Sequence, residues 1–214
     1  MVTTHTHLKD KKMALFTEQR LINRVDNEFR KSFSNIYETT FSKAKGFINE
    51  SKNTQGLYFS KKYDIFLSHS SDDARLVAGL KLELEDLGYS VYVDWITDPE
   101  LNRSKVTKNN AAVLKTRMNQ CKVLLYAFSE NAASSTWMPW ELGYFDGIKG
   151  YVAVAPISKS SSSSFSGNEY LGLYPYIDIA NVLDSNQQRL WVNESHNCYV
   201  EYNRWINGEK PTIR

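Results

Sequence analysis

Trp137-Met-Pro-Trp-Glu141 sets an indole and a carboxylate four residues apart. On a helix that spacing places both on one face. A carboxylate accepts hydrogen bonds from sugar hydroxyls, and an indole stacks on an aromatic or cationic ring. The pair therefore suits a ligand that carries hydroxyls and a flat heterocycle. A second polar group, Ser68, His69, Ser70 and Ser71, follows an apolar run at 63–67. A third, Asp94 and Trp95, follows another at 89–93. The residue types also allow a plainer reading. In it Trp137 and Trp140 are core aromatics, and Glu141 caps a neighbouring helix or pairs with a lysine.

These groups need elements that bring them to one place. Residues 63–69, 89–93, 122–128 and 151–157 are short apolar runs of strand length. Between them lie helical stretches. Leu76, Val77, Leu80, Leu84 and Leu87 form a helical stripe that starts after the cap signal Ser70-Ser-Asp-Asp73 and stops at Gly88. A second helix is expected over 104–120, burying Val106, Val113, Leu114, the stem of Arg117 and Met118. A third is expected over 137–149, with Pro139 in its first turn and Gly150 as its stop. Residues 94–103 read as a polar loop. Strands apolar on both faces, alternating with helices, predict a parallel sheet covered by helices on each side. Ligands in such folds sit at the carboxyl ends of the strands. The three polar groups all fall there.

Outside this core the pattern is less regular. Residues 1–56 read as helical, as one helix or two, with apolar positions at Leu21, Val25, Phe29 and Phe33 and onward to Phe47 and Ile48. They form either a layer packed on the main domain or a helix for self-association, and 53–56 read as a linker. Residues 158–166 are serine-rich and expected to be a mobile loop. Residues 167–178 are expected to be ordered loop, and 188–192 and 199–205 strands or helical turns.

The chain has 214 residues, 26 Lys+Arg against 24 Asp+Glu, and a formal net charge of +2. That balance argues against a nucleic-acid scaffold. Two cysteines, Cys121 and Cys198, make neither a disulfide framework nor a four-ligand zinc site. His5 and His7 are expected in a solvated tail. No apolar run approaches the roughly 20 residues that span a bilayer, and the first residues lack the apolar centre of a secretory signal. A cytoplasmic protein is expected. The glycine-rich phosphate cradles and the Gly-x-Ser-x-Gly elbow are missing from the sequence.

Four motifs, in order, resemble the Toll/interleukin-1 receptor (TIR) family. Tyr63-Asp-Ile-Phe-Leu-Ser-His69 is similar to its opening strand. Gly88-Tyr-Ser-Val-Tyr-Val-Asp94 is similar to its second strand and the start of the BB loop. Lys122-Val-Leu-Leu-Tyr-Ala-Phe-Ser-Glu-Asn131 is similar to its third strand, and Ser135-Thr-Trp-Met-Pro-Trp-Glu-Leu142 to its third helix. The resemblance spans about residues 60–160 and implies a three-layer, flavodoxin-like α/β fold with a central parallel sheet, here carrying an N-terminal helical extension. It implies a TIR domain over 57–214, preceded by the extension and linker over 1–56.

The family contains adaptors that signal by self-assembly and enzymes that consume NAD. The enzymes use a glutamate on the third helix, and Glu141 matches it. The resemblance therefore implies an NAD glycohydrolase or cyclase, similar to the TIR component of Thoeris-like antiphage systems. Glu141 would be catalytic. Ser68, His69, Ser70, Ser71, Asp94, Trp95 and Trp137 would line the substrate. NAD would be the substrate, with no metal and no further cofactor. Expected partners are other TIR domains and a downstream nucleotide-sensing effector, with no nucleic acid or membrane. Some TIR enzymes have basic residues where this chain has Ser70 and Ser71, so Arg103 or Lys105 would have to serve the phosphates. The competing expectations are a non-enzymatic TIR interaction module and a flavodoxin-like binding domain.

Overall fold

The computed structural model describes residues 15–36, 61–99, 101, 106–160, 165, 169–182 and 185–214. Among them the sheet has nine strands. These are β1 (Phe16–Thr17), β2 (Tyr63–Ser68), β3 (Val91–Tyr92), β4 (Cys121–Phe128), β5 (Val152–Ser158), β6 (Tyr176–Asn181), β7 (Gln188–Ser195), β8 (Cys198–Glu201) and β9 (Thr212–Ile213). The helices are α1 (Glu18–Ile36), α2 (Ala74–Asp86), α3 (Asp94–Thr97), α4 (Lys108–Gln120), α5 (Trp137–Lys149) and α6 (Tyr202–Trp205).

The strands run β3-β2-β4-β5-β6-β7-β8-β9 across the sheet, and β1 pairs with the end of β5. Pairing is parallel from β3 to β6 and antiparallel from β6 to β9. The parallel part has the flavodoxin-like order, in which the chain goes outward from β2 to β3 and then returns past β2 to β4. The strand order reverses between β2 and β4, and that is where such folds open a crevice. The antiparallel β6–β9 meander extends the expected parallel sheet. The 188–192 and 199–205 segments supply β7, β8 and the turn α6.

Each face of the sheet carries its own core. Ile65 and Leu67 of β2, Val123 and Leu125 of β4 and Ala153 and Ala155 of β5 pack against Leu21 of α1, Val77, Leu80 and Leu84 of α2, and Tyr202 of α6. The alternate residues, Phe66, Leu124, Tyr126, Val152 and Val154, pack against Leu114 and Met118 of α4 and Met138, Leu142 and Phe145 of α5. This two-sided burial explains why the parallel strands lack a polar face. Gly150 ends α5 at φ +70, a left-handed cap that a side chain would strain.

The N-terminal helix packs on the α/β layers. Phe16 and Leu21 are buried in the same core as α2. Three ion pairs tie α1 to α2: Arg20 to Glu83, Arg24 to Asp86, and Asp26 to Arg75. Residues 37–56, where a second helix or a linker was expected, lie outside the described residues, as do His5, His7, Arg103, Lys105 and most of the serine-rich run.

Three expectations are corrected. The second helix begins at Lys108, capped by Thr107, whose hydroxyl accepts from the Asn110 N–H at 3.1 Å. Val106 therefore precedes the helix and is 69% exposed instead of buried. Within the expected polar loop, Asp94–Thr97 forms a helical turn. Residues 167–178, read as loop, contain a 3-10 turn at Glu169–Leu173 and the start of β6.

Candidate active site

Ser68 is the last residue of β2, and Glu141 lies in the second turn of α5. Both are buried. The β2 alternation that sends Ile65 and Leu67 to the α1 and α2 side sends Phe66 and Ser68 to the α5 side. Helix α5 presents Trp137, Met138, Glu141, Leu142 and Phe145 inward. The Ser68 hydroxyl meets the Glu141 carboxylate there, donating to Oε2 at 2.6 Å. A hydroxyl-to-carboxylate bond of that length is charge-assisted and among the stronger kinds.

Beside it, the β2 exit is locked to the β3 exit. The His69 ring is buried, with Nδ1 at 2.8 Å from the Leu67 carbonyl oxygen and Nε2 at 3.3 Å from Asp94 Oδ1. Asp94 is buried too, and Oδ1 accepts from the Trp95 N–H at 2.7 Å. The imidazole thus spans the loops that follow the two strands.

The next turn is bound to the β4 exit. Ser70 caps the 3-10 turn Ser71–Asp73, with its hydroxyl 3.4 Å from the Asp72 N–H. Asp73 is buried and accepts from the Ser129 hydroxyl and, at 2.7 Å, from Asn131 Nδ2. A cavity of about 340 Å³ lies on the α1 side of this turn, lined by Asp72, Asp73, Arg75, Ser129, Asn131 and Lys159 among others. A larger cavity of about 580 Å³ lies between α1, α2 and the β6–β7 turn and contains none of the residues expected in the site.

The expected site residues separate into two sets. Ser68 and Glu141 are in direct contact, as are His69 and Asp94. Trp137 is buried against Trp140, ring centroids 5.4 Å apart and edge to face. Ser71 and Trp95 face solvent, Trp95 with 41% exposure.

A further group holds the turn that carries Trp95. The Arg117 guanidinium donates from Nε to Asp98 Oδ2 at 2.8 Å and from a terminal nitrogen to Oδ1 at 2.6 Å. The Tyr92 hydroxyl donates to the same Asp98 Oδ2 at 2.7 Å. Burial followed by the Asp98 charge raises the Tyr92 phenol far above its ordinary range. The helical pattern marks Arg117 only as a buried stem. Its partner lies 19 residues away, so no local spacing signals the pair. Among the described residues, no cluster of three or more His, Cys, Asp or Glu could hold a metal ion.

The family model for the TIR domain matches residues 65–192, which run from within β2 to within β7. The chain belongs to the TIR domain family. Over 203 residues it is 48% identical to ThsB' of Bacillus cereus (strain MSX-D12), by its name a probable 3' cyclic ADP-D-ribose synthase. That alignment covers 91% of this chain and 98% of the relative. A second relative, TIR2 of Cytobacillus dafuensis, is named as a candidate cyclic ADP-D-ribose synthase. It is 34% identical over 96 residues, covering 44% of this chain and 24% of its own length. The resemblance matches Asp94 to the start of the BB loop, and the Asp98–Arg117 pair lies directly after the turn Asp94–Thr97.

Proposed function

We propose that this TIR protein cleaves the nicotinamide–ribose bond of NAD and closes the remaining ADP-ribosyl group into a cyclic ADP-ribose isomer, a signal in bacterial antiphage immunity. The observation that carries the reading is the buried Ser68–Glu141 pair at the reversal of strand order. The 48% identity to a protein named for 3' cyclic ADP-D-ribose synthesis favours the 3' isomer.

The chemistry follows from the bond. Nicotinamide is cationic while attached, so it leaves as a neutral molecule without a general acid. The C–N electron pair goes with it, and positive charge develops on the ribose, as in glycoside hydrolysis. Glu141 stabilises that charge and holds the ribose hydroxyls. A nucleophile on the same ADP-ribosyl group then attacks C1' and releases its proton. For a 3' product that nucleophile is a ribose 3'-hydroxyl, and water would give ADP-ribose instead. Ser68 positions Glu141. His69, Ser70, Ser71, Asp94, Trp95 and Trp137 border the substrate, Trp137 offering its indole to the nicotinamide. NAD is the substrate, and no other cofactor is invoked.

Glu141, Ser68, His69 and Asp94 are all buried, so the crevice must open for NAD. Contact between TIR domains, through the exposed Trp95 and Ile96, is the proposed cause of opening. Residues 57–214 are the enzymatic domain and 1–56 its extension. The proposed site of action is the cytoplasm, with a nucleotide-sensing partner downstream. Among the described residues no helix is long and apolar enough to cross a membrane.

The test is incubation of the concentrated protein with NAD and a crowding agent, with nicotinamide and adenine-containing products resolved by chromatography and mass. Glu141→Gln runs alongside. Nicotinamide release should fall by about a thousandfold or more in the variant, and the product should be lighter than ADP-ribose by one water. Full turnover by a folded Glu141→Gln protein would overturn the reading.

A further inference from the structure

His69 connects the two contacts found at the site. It follows Ser68, which donates to Glu141, and its own ring reaches Asp94. The His69 and Asp94 side chains are each 1% exposed. Nδ1 stands 2.8 Å from the carbonyl oxygen of Leu67, two residues back along the chain. The imidazole thus closes a loop around Ser68 and holds the peptide plane through which the chain enters that residue. On the other side of the ring, Nε2 stands 3.3 Å from Asp94 Oδ1.

Both ring nitrogens therefore face acceptors. A carbonyl oxygen cannot donate, so Nδ1 carries a hydrogen. Asp94 Oδ1 accepts from the Trp95 N–H at 2.7 Å, so it meets Nε2 as an acceptor too. A neutral ring would turn its Nε2 lone pair on that oxygen. Where water is excluded, such a contact is repulsive. A second hydrogen on the ring converts it into a buried ion pair. The balance of charge points the same way. Three buried carboxyl groups, Asp73, Asp94 and Glu141, gather at the exits of β2, β3 and β4. Among the described buried residues at these exits, His69 alone can carry a positive charge. Arg117 is engaged by Asp98, beyond α3.

We propose that His69 is a positioning residue for Glu141, held as an imidazolium between the Leu67 carbonyl and the Asp94 carboxylate. The inference rests on the NAD reading above for what Glu141 does. It goes beyond that reading in giving His69 a charge and a task of its own. The imidazolium fixes the backbone on both sides of Ser68. Ser68 Oγ then meets Glu141 Oε2 at 2.6 Å before substrate arrives. Stabilising a charge that develops on a ribose requires such prior alignment. The second hydrogen comes from solvent as the chain folds and stays on the ring through the reaction. His69 neither gives nor takes a proton during turnover.

The first readout is the ring itself, in the full chain. His5→Gln, His7→Gln and His196→Gln together leave His69 as the sole histidine. Nuclear magnetic resonance of the labelled ring at neutral pH should show a hydrogen on both nitrogens, sheltered from solvent exchange. A ring with one hydrogen overturns the proposal, whatever the activity. The second readout is kinetic. Asp94→Asn offers Nε2 an amide hydrogen in place of a carboxylate charge, so the ring should keep its Nδ1 hydrogen alone. The kcat of nicotinamide release should fall by about tenfold, with a smaller change in KM. His69→Gln should lose about as much, and the double variant little more than either. Wild-type kcat in a folded Asp94→Asn protein overturns the positioning role, and so does a KM rise at unchanged kcat. The ring spectrum needs no change at the pair, so it decides even where Asp94→Asn fails to fold. A wild-type chain that never consumes NAD overturns the NAD reading and the positioning role with it, while the ring spectrum still decides the charge.

Discussion

The contact between Ser68 Oγ and Glu141 Oε2 spans 2.6 Å between two buried side chains. Such a bond does more than satisfy a polar atom. It fixes the rotation of the carboxylate, and a carboxylate that stabilises charge on a ribose must be aimed before the charge appears. Ser68→Ala removes the aim and leaves the charge. Turnover should therefore fall by about 10- to 100-fold with a smaller change in KM. Stability should fall by about 1–3 kcal/mol, because the Glu141 oxygen loses a buried donor. Steady-state nicotinamide release and urea unfolding read the two effects separately. A KM increase at unchanged kcat would instead make Ser68 a substrate contact. Both members of this pair are legible in the sequence: one ends an apolar strand, and the other sits four residues after Trp137 on a helix. The Asp98–Arg117–Tyr92 network is not legible. Its members lie on three elements, and only the fold brings them together.

At the scale of elements, α1 and α2 approach each other closely at Gly79. A methyl group built on Gly79 of α2 would stand 2.7 Å from the Leu21 carbonyl carbon of α1, inside van der Waals contact. Two effects oppose each other in Gly79→Ala. Alanine favours the helix by about 1 kcal/mol relative to glycine. Against that, the clash is with backbone, which cannot swing aside as a side chain can, and overpacking costs about 1–3 kcal/mol. The clash should win. Gly79→Ala should lower stability by about 1–2 kcal/mol, and amide exchange in α1 should accelerate more than in α5. A stabilised variant would show that α1 is not held at this crossing. The amphipathic spacing from Leu21 onward announces α1, but nothing in it names the partner; Gly79 reads only as a small residue inside a helical stripe. The parallel strands were readable because both faces are apolar. β6 and β7 were harder to read, because buried Asp178 and Asn193 bond to each other across the pair at 3.0 Å and interrupt the apolar pattern.

The whole molecule combines a closed crevice with an exposed apolar turn. Trp95 and Ile96 are 41% and 43% exposed on the turn α3. Scattered exposed apolar residues are ordinary on a protein surface. These two are adjacent, and the turn that carries them is braced at Asp94 by its own backbone and at Asp98 by Arg117. A braced apolar projection loses little conformational freedom when it docks. Asp94 also joins His69, which links the turn to the exit of β2, where Ser68 holds Glu141. On the proposed reading, assembly and opening are one event, and activity should depend on concentration. Raising the protein concentration tenfold should raise the rate of nicotinamide release by clearly more than tenfold at fixed NAD, until assembly is complete. Ile96→Asp places a charge that docking would have to desolvate. It should abolish the upward curvature and lower the rate by about tenfold or more, while leaving the isolated fold intact, because Ile96 is outside both sheet cores. Glu141→Gln should behave in the opposite way, assembling normally by light scattering while nicotinamide release falls by about a thousandfold or more. A rate strictly proportional to protein concentration, unchanged by Ile96→Asp, would mean that the single chain opens unaided and that α3 is a scaffold instead of a contact. Assembly lost with Ile96→Asp, in a protein that never consumes NAD, would favour the family's other mode of action, signalling by contact alone.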